Sequence, residues 1–170
     1  TAELTSPYLS FFLKDLRGFN LELGGRYNKH SKYGDNFTYS INPSFTINDK
    51  VKLFANYATA FKAPSLSALY GPYRANPDLT PETSSTIEGG VQATLLSEVL
   101  DVRAVYFKRK IENVIIYGPS FQLINLDKQN DNGFEIEPTL YIGKKLRIKM
   151  FYAYVDGEVT TKSNDKDSTF

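Results

Sequence analysis

Apolar and polar residues alternate with period two along most of the chain. The clearest case is residues 37–47, in which mostly aromatic and aliphatic side chains at odd positions alternate with threonine, serine and asparagine at even positions. This alternation is typical of a β-strand with one apolar face. It recurs in residues 7–15, 18–28, 51–57, 87–95, 99–117, 121–142 and 146–154. The pattern predicts an all-β protein, an antiparallel up-and-down meander of about eight strands without a helix.

Two strand interiors contain a proline, which conflicts with the prediction at those positions. Pro43 and Pro138 fall inside alternating segments, although proline in a sheet is normally confined to edges, strand starts or bulges. The polar run at residues 130–132 also interrupts the long segment 121–142. We therefore expect a bulge or a twist near residues 130–132.

Strand alternation alone allows two opposite kinds of barrel. A soluble eight-stranded barrel of the lipocalin type encloses its apolar face around one ligand. A membrane barrel turns the apolar face, including Ile136 and Ile148, to lipid and lines a wet interior with the polar face, including Glu135 and Lys149. The other polar-face residues are Glu22, Arg26, Lys52, Glu88, Gln92, Asp101, Arg103, Glu137, Lys145 and Arg147.

Composition narrows the chemistry that the chain can perform. The net charge is +1, which gives no argument for nucleic acid as a partner, and the absence of cysteine excludes thiol chemistry. The single histidine, His30, lies beside lysines and is expected to be a solvated loop residue. No metal-ligand spacing and no nucleophile triad is present, so no metal site and no cofactor are predicted.

One carboxylate pair has a spacing that a catalytic site could use. Glu135 and Glu137 lie on one face of a strand at a spacing that a glycosidase could use. The sequence offers no apolar pocket that would raise either pKa, and opposite charges on facing strands explain both residues structurally. The chain is predicted not to be an enzyme.

A long insert interrupts the alternation between the fourth and fifth strands. Residues 63–81 contain four prolines, and each one removes a backbone donor and restricts the residue before it. The insert is therefore predicted to be a shaped loop. Its aromatic and polar tip is a candidate contact surface for a ligand, with an ordinary long connection as the alternative.

Two ordered motifs flank this tip, a phenylalanine and a basic residue before Ala-Pro, and then Asn-Pro-x-Leu-x-Pro-Glu. Their residues are Phe61, Lys62, Ala63, Pro64, Asn76, Pro77, Leu79, Pro81 and Glu82. The pair resembles a motif pair of the TonB-dependent outer-membrane receptors, the Gram-negative transporters that take up cobalamin, siderophores, haem and some glycans. Haem-uptake members carry a histidine between the two motifs. Residues 65–75 contain none, so the resemblance favours the cobalamin or siderophore branches.

The resemblance covers roughly residues 18–156 and implies a segment of a 22-stranded transmembrane β-barrel in the cell outer membrane. Residues 1–170 would then be a partial barrel domain, with the plug domain and the closing strands outside it. The implied partners are outer-membrane lipid, a small-molecule ligand, and TonB and the plug domain through other parts of the full protein. The implied activity is TonB-energised uptake of a scarce nutrient.

The lengths of the predicted connections agree with a barrel of this kind. Short turns near residues 15, 48, 97 and 143 lie at one rim, whereas longer connections at 29–35, from 63, and from 156 lie at the other, with 118–120 as an exception. Outer-membrane barrels have short periplasmic turns and longer extracellular loops, so the insert is expected outside the cell. Ligand contacts are expected at Tyr33, Tyr70, Tyr73, Arg74, Asn76 and Tyr117.

Overall fold

The computed structural model describes residues 2–160 and 168–169, and these form one antiparallel sheet and one short helix. The helix is α1 (Leu66–Tyr70). The strands are β1 (Leu4–Thr5), β2 (Tyr8–Leu16), β3 (Phe19–His30), β4 (Gly34–Ile47), β5 (Val51–Lys62), β6 (Glu82–Leu95), β7 (Leu100–Tyr117), β8 (Leu123–Ile142), β9 (Leu146–Lys149), β10 (Tyr152–Thr160) and β11 (Ser168–Thr169).

Eight long strands make up the meander, which confirms the prediction. β1 and β2 both pair with β3, so they are two parts of one strand, and β9 and β10 are likewise two parts of the strand beside β8. Each remaining long strand pairs with the next strand along the chain. The short β11 adds to β10 at the end of the sheet.

Both prolines sit in strand interiors without a shift in register. The β4–β5 ladder skips Pro43 but continues on either side with the same pairing, Ile41 with Tyr57 and Ser44 with Phe54. Pro138 lies opposite the break between β9 and β10, and its carbonyl still accepts a hydrogen bond from the Met150 amide at 3.0 Å. A missing proline N–H therefore interrupts the ladder locally and needs no bulge.

Two local predictions were wrong, and one of the two alternatives in a third is excluded. The insert contains the helix α1, although no helix was expected. β8 pairs continuously with β7 through residues 128–140, so there is no bulge at residues 130–132. The connection predicted at 29–35 is only the turn 31–33, because β3 extends to His30 and β4 begins at Gly34. The difference in connection length between the two rims therefore comes mainly from residues 63–81.

The two faces of the sheet differ in chemistry as the alternation predicted. Cross-strand pairing places Leu53, Val91, Ala104 and Ile136 side by side on one face. Toward the rim that carries the insert, this face becomes aromatic: Tyr39 and Tyr57 lie 5.8 Å apart between ring centroids, as do Phe134 and each of Tyr152 and Tyr154. An apolar band with an aromatic edge is the lipid-facing surface of a membrane barrel.

The opposite face carries charges that pair across strands. Arg103 on β7 donates to Glu137 on β8 at 3.0 Å, and Lys149 on β9 lies 3.0 Å from the other oxygen of the same carboxylate. The Arg103 guanidinium also lies 5.3 Å from the centroid of the Phe54 ring on β5. Glu137 therefore has a structural role, as the sequence predicted. Asp101 on the same face accepts a hydrogen bond from the Thr94 hydroxyl at 2.8 Å.

The soluble barrel alternative does not agree with this sheet. Within the described residues the strand order is open, with no pairing between β2 and β10. Phe45 on the apolar face is 44% exposed and Leu53 is 46% exposed, so these side chains do not face a closed interior. The described part of the chain contains no helix of the length and apolarity that a membrane crossing requires.

Candidate functional site

The insert, residues 63–81, folds back onto the outer ends of the strands. Pro64 is buried, and Ser65 caps α1 because its hydroxyl accepts the Ala68 amide at 3.0 Å. This cap satisfies one of the amide groups that a helix leaves without a partner at its first turn. On this single helical turn Leu69 is 4% exposed, whereas Tyr70 is 64% exposed.

Asn76, the first residue of the second motif, holds the insert together. Its amide nitrogen donates to the Leu123 carbonyl at 2.8 Å, and its side-chain oxygen accepts the Asp78 amide at 3.0 Å. Its backbone N–H donates to the Ala68 carbonyl at 2.8 Å. An asparagine that bonds the backbone two residues ahead makes a turn of its own. Asn76 therefore links α1, the turn after it and the start of β8.

Leu79 and the turn between β3 and β4 form a second attachment. Leu79 is 1% exposed, and its carbonyl accepts the Tyr33 hydroxyl at 3.0 Å. The Lys32 ammonium donates to the Pro77 carbonyl at 3.0 Å and to the Tyr70 hydroxyl at 3.4 Å. Desolvation lowers the pKa of Lys32, but this hydrogen bond and charge interactions with both tyrosines outweigh it and raise the pKa above its ordinary value.

His30 fixes the conformation of that turn and is not the solvated loop residue that was predicted. It is 8% exposed, and its Nδ1 accepts the backbone amides of Lys32 at 3.1 Å and Tyr33 at 3.3 Å. Its ring lies 5.0 Å from the Tyr33 ring. The prediction failed because neighbouring lysines suggested solvent, whereas the imidazole ring turns back to bond the turn backbone.

A third attachment joins the insert to the hairpin of β7 and β8. Asn125 accepts the Thr80 amide at 2.8 Å and donates to the Thr80 carbonyl at 3.0 Å and to the Asn113 carbonyl at 2.7 Å. The Glu82 carboxylate accepts the Ile115 amide at 2.9 Å and pairs with Lys62 at 2.6 Å. One residue of each motif, Lys62 of the first and Glu82 of the second, therefore forms an ion pair where the insert rejoins the sheet.

The predicted ligand residues divide into anchored and exposed groups. Tyr33 and Asn76 are committed to the attachments just described. Tyr73 is 85% exposed. The Arg74 guanidinium lies 5.7 Å from the centroid of the Tyr117 ring and 4.8 Å from that of Phe121. Arg74, Tyr117 and Phe121 thus form a cationic and aromatic surface at the hairpin tip. Tyr73 directly precedes Arg74 in the chain.

Sequence reasoning missed several residues of this rim. Lys32 and Phe121 were not singled out, although a lysine next to a tyrosine and an aromatic residue in a turn were visible signals. Among the described residues, no group of three His, Cys, Asp or Glu side chains is arranged to hold a metal ion.

The model of the family described as TonB dependent receptor-like, beta-barrel matches residues 4–170. The chain belongs to this receptor family. The match extends beyond residues 18–156, which carried the resemblance, and includes the insert with both motifs. The barrels of TonB-dependent receptors are outer-membrane proteins, in agreement with the apolar face of the sheet.

Two curated relatives of this receptor barrel are vitamin B12 transporters. The chain is 31% identical over 118 residues to the vitamin B12 transporter BtuB of Vibrio vulnificus, a match that covers 66% of the chain and 19% of that protein. It is 26% identical over 162 residues to BtuB of Photobacterium profundum, covering 91% of the chain and 26% of that protein. The chain therefore spans about a fifth to a quarter of these relatives.

Solved receptor structures share the fold. The siderophore receptor PirA of Pseudomonas aeruginosa superposes with a TM-score of 0.78 at 24% identity, covering 96% of the chain and 35% of PirA. A mutant of the ferric enterobactin receptor PfeA of the same species, in complex with enterobactin, gives a TM-score of 0.78 at 22% identity, covering 96% of the chain and 31% of PfeA. At this identity the likeness shows the fold.

Proposed function

We propose that the full protein is an outer-membrane receptor for TonB-energised uptake of a scarce nutrient, a cobalamin or a siderophore. This chain, residues 1–170, supplies part of the barrel wall and one outer ligand loop. The plug domain, the TonB contact and the closing strands belong to other parts of the full protein. Relatives named as vitamin B12 transporters and solved siderophore receptors support the same class of ligand.

The observation that carries this proposal is the position of the insert on the sheet. Three independent attachments, at Asn76, Lys32 and Asn125, hold residues 63–81 over the strand ends at one rim. Within the described residues, the connections at the opposite rim are short turns, which is the periplasmic arrangement in outer-membrane barrels. A loop fixed in this way presents its tip to the outside and supports a ligand contact with little ordering cost.

The exposed side chains at this rim suit a large, partly aromatic ligand. Tyr70, Tyr73 and Tyr117 are at least 60% exposed, and the Arg74 guanidinium lies over the aromatic rings of Tyr117 and Phe121. Aromatic and arginine side chains dominate binding hot spots. Tyr33 and Asn76 contribute to the same site by positioning the loop.

Uptake measured in a strain that lacks its own receptors tests the proposal. Cells expressing the full-length receptor are expected to accumulate labelled cobalamin or a labelled ferric siderophore, and accumulation is expected to stop when TonB is deleted. Replacing Tyr73 and Arg74 with alanine should raise the ligand concentration needed for half-maximal uptake, by about tenfold if the pair forms a hot spot. Substituting Glu98, in the turn at the opposite rim, serves as the control.

Each result has a definite meaning for the proposal. Uptake that depends on TonB identifies the receptor class, and competition between unlabelled cobalamin and ferric siderophore identifies the ligand. Uptake of neither ligand, with the receptor present in the outer membrane, would refute the proposed substrate class. Equal effects of substitutions at both rims would refute the assignment of the outer loop as the ligand site.

A further inference from the structure

The sheet opens between β4 and β5 at the rim that carries the insert. The last backbone pair that joins the two strands toward this rim is Ser40 with Ala58, although both strands continue beyond it. The neighbouring ladders, β3 with β4 and β5 with β6, extend to the ends of these strands. In the part of the chain that the structure describes, residues 34–39 of β4 therefore face residues 59–62 of β5 without a ladder, and we call this interval the seam.

The Thr59 side chain fixes the lower end of the seam. Its hydroxyl accepts the Tyr39 N–H at 2.9 Å and donates to the Tyr39 carbonyl at 3.4 Å. In a regular antiparallel ladder, the backbone of the residue opposite Tyr39 makes both of these bonds. Because a side-chain oxygen takes the place of that backbone, the two strands stand further apart at this point than in a direct pair.

Two clefts meet at the seam, with volumes of about 320 Å³ and 260 Å³. Both clefts are lined by Thr38, Tyr39, Thr59 and Ala60. These four residues belong to both faces of the sheet, since Thr38 and Ala60 lie on the polar face and the other two on the apolar face. The strands therefore leave space between them at the seam.

The seam begins at the aromatic edge of the apolar band. The Tyr39 ring belongs to this edge and lies 5.8 Å from the Tyr57 ring between centroids. Below the edge, in lipid, every backbone polar group needs a partner within the protein, and the Thr59 hydroxyl supplies one for both groups of Tyr39. Above the edge the strands lie in water, where Phe37 is 61% exposed. Water can satisfy the backbone groups there, so the strands can separate above Tyr39 but not below it.

The insert crosses over the seam, from β5 to the turn between β3 and β4. It leaves β5 after Lys62, and its Pro77 and Leu79 carbonyls accept hydrogen bonds from Lys32 and Tyr33 in that turn. Both donors lie on the β4 side of the seam. The separation of the two strands therefore determines whether these donors reach the insert.

We infer that Thr59 is a positioning residue for the ligand loop. Its hydroxyl ends the β4–β5 ladder at the aromatic edge and holds the outer end of the β3–β4 hairpin at the distance from β5 at which Lys32 and Tyr33 bond the insert. The insert is thereby fixed over the strand ends with Tyr70 and Tyr73 exposed. This inference rests on the proposed function of the insert as the ligand site.

Without the hydroxyl, the seam is expected to close. Backbone groups of alternate residues face the same neighbouring strand. The groups of Phe37 therefore face β5, as those of Tyr39 do, and lie opposite Phe61 in the register of the ladder below. Direct pairing of these residues would bring the strands to the usual spacing of about 4.8 Å. The turn between β3 and β4 would then shift relative to the insert, and the attachment between them would be lost.

Disulfide formation across the seam tests the separation of the strands, because this chain contains no cysteine. Thr38→Cys with Ala60→Cys places two thiols opposite each other in the register that the ladder has below the seam. A disulfide needs Cα atoms about 4.4 to 6.8 Å apart. In the purified full-length receptor, with any cysteine outside this chain replaced by serine, the pair should therefore oxidise faster when Thr59→Val is added.

A second cysteine pair is the matched control for oxidation. Ser84→Cys with Ile111→Cys lies in the same row of the polar face as Ala60, but within the continuous β6–β7 ladder. This pair should oxidise at the same rate with and without Thr59→Val. A difference confined to the first pair shows that the hydroxyl acts at the seam.

Uptake separates a positioning role from a purely structural one. Thr59→Val should raise the concentration of labelled cobalamin or labelled ferric siderophore needed for half-maximal uptake by about fivefold, the effect of roughly one lost hydrogen bond, and should leave the maximal rate unchanged. Thr59→Ser keeps the hydroxyl and should behave as wild type. Thr83→Val is the matched control, because Thr83 lies on the same face of β6 and its side chain makes no hydrogen bond within the described residues.

Three outcomes would overturn the inference. The first is an equal rate of oxidation across the seam with and without Thr59→Val. The second is an equal rise in the half-maximal concentration in Thr83→Val, and the third is the same rise in Thr59→Ser, because either result would show that the hydroxyl of Thr59 is not responsible. A wild-type receptor that takes up neither ligand would instead refute the proposed function, and the oxidation rates would still decide whether Thr59 sets the separation of the strands.

Discussion

Replacing Asn125 with alanine is expected to release residues 63–81 from the hairpin of β7 and β8. The Asn125 side chain makes three hydrogen bonds, two to Thr80 and one to the Asn113 carbonyl. Asn113 has a left-handed backbone with a φ of 55°, which asparagine tolerates better than most residues. The substitution therefore removes an anchor of the insert and a support for this irregular position at once.

The expected change in the free energy of opening of the insert follows from the three hydrogen bonds of Asn125. Each hydrogen bond contributes about 1 kcal/mol net, and the two to Thr80 lie near solvent, so we expect a loss of about 2 kcal/mol in the local free energy of opening. This corresponds to an opening equilibrium about 30-fold more favourable, because about 1.4 kcal/mol is a factor of ten. The other attachments, at Asn76 and Lys32, keep the insert folded on average.

Amide hydrogen exchange of the full-length receptor, read by mass spectrometry on peptides from residues 63–81, measures this opening. We expect faster exchange in the insert and unchanged exchange in β5 and β6 below it. Gln122→Ala is the matched control, because the Gln122 side chain is exposed at the hairpin tip and makes no hydrogen bond within the described residues. Unchanged exchange of the insert in Asn125→Ala would refute the three-bond attachment.

The remaining predictions concern the two faces of the sheet, the insert, and the pH dependence of the insert's stability. Ile136→Arg and Ile148→Arg should impair folding into lipid bilayers, at a cost of up to about 2 to 4 kcal/mol near the midplane. The Glu135→Gln variant should fold normally. In cysteine variants, a lipid-soluble label should react at position 136 and a water-soluble label at position 135. Reversed labelling would refute the assignment of these positions to the lipid-facing and polar faces. Deleting residues 69–75 should abolish uptake, and normal uptake would refute the loop's role. Because the pKa of Lys32 is raised, the stability that its charge contributes should be full below about pH 10.5 and lost as pH rises further. The difference in the free energy of opening of the insert between Lys32→Met and wild type, obtained from exchange, should therefore be constant from pH 6 to 9. A change within that range would contradict the assignment.

The sequence by itself determined the strands and their two faces, because a period of two is a local property. Phe45 and Leu53 pair on the apolar face, and Arg103 and Glu137 on the polar face, as their positions in the alternation predicted. The two motifs also located the insert and indicated the receptor family. Their spacing could be read without knowing any contact.

Only the tertiary structure decided what the residues of the insert do, because their partners are distant in the chain. Asn76 bonds Leu123, Tyr33 bonds Leu79, and Asn125 bonds Thr80, each across more than forty residues. The same limit applies to Pro138, which is accommodated by a break in the neighbouring strand. His30 is different, because its partners are the amides of Lys32 and Tyr33 in its own turn, and only the conformation of that turn brings them to the imidazole. The alternation predicts the face of the sheet on which a side chain lies. Which groups meet on that face depends on the strand register and on the path of the loop over the strand ends.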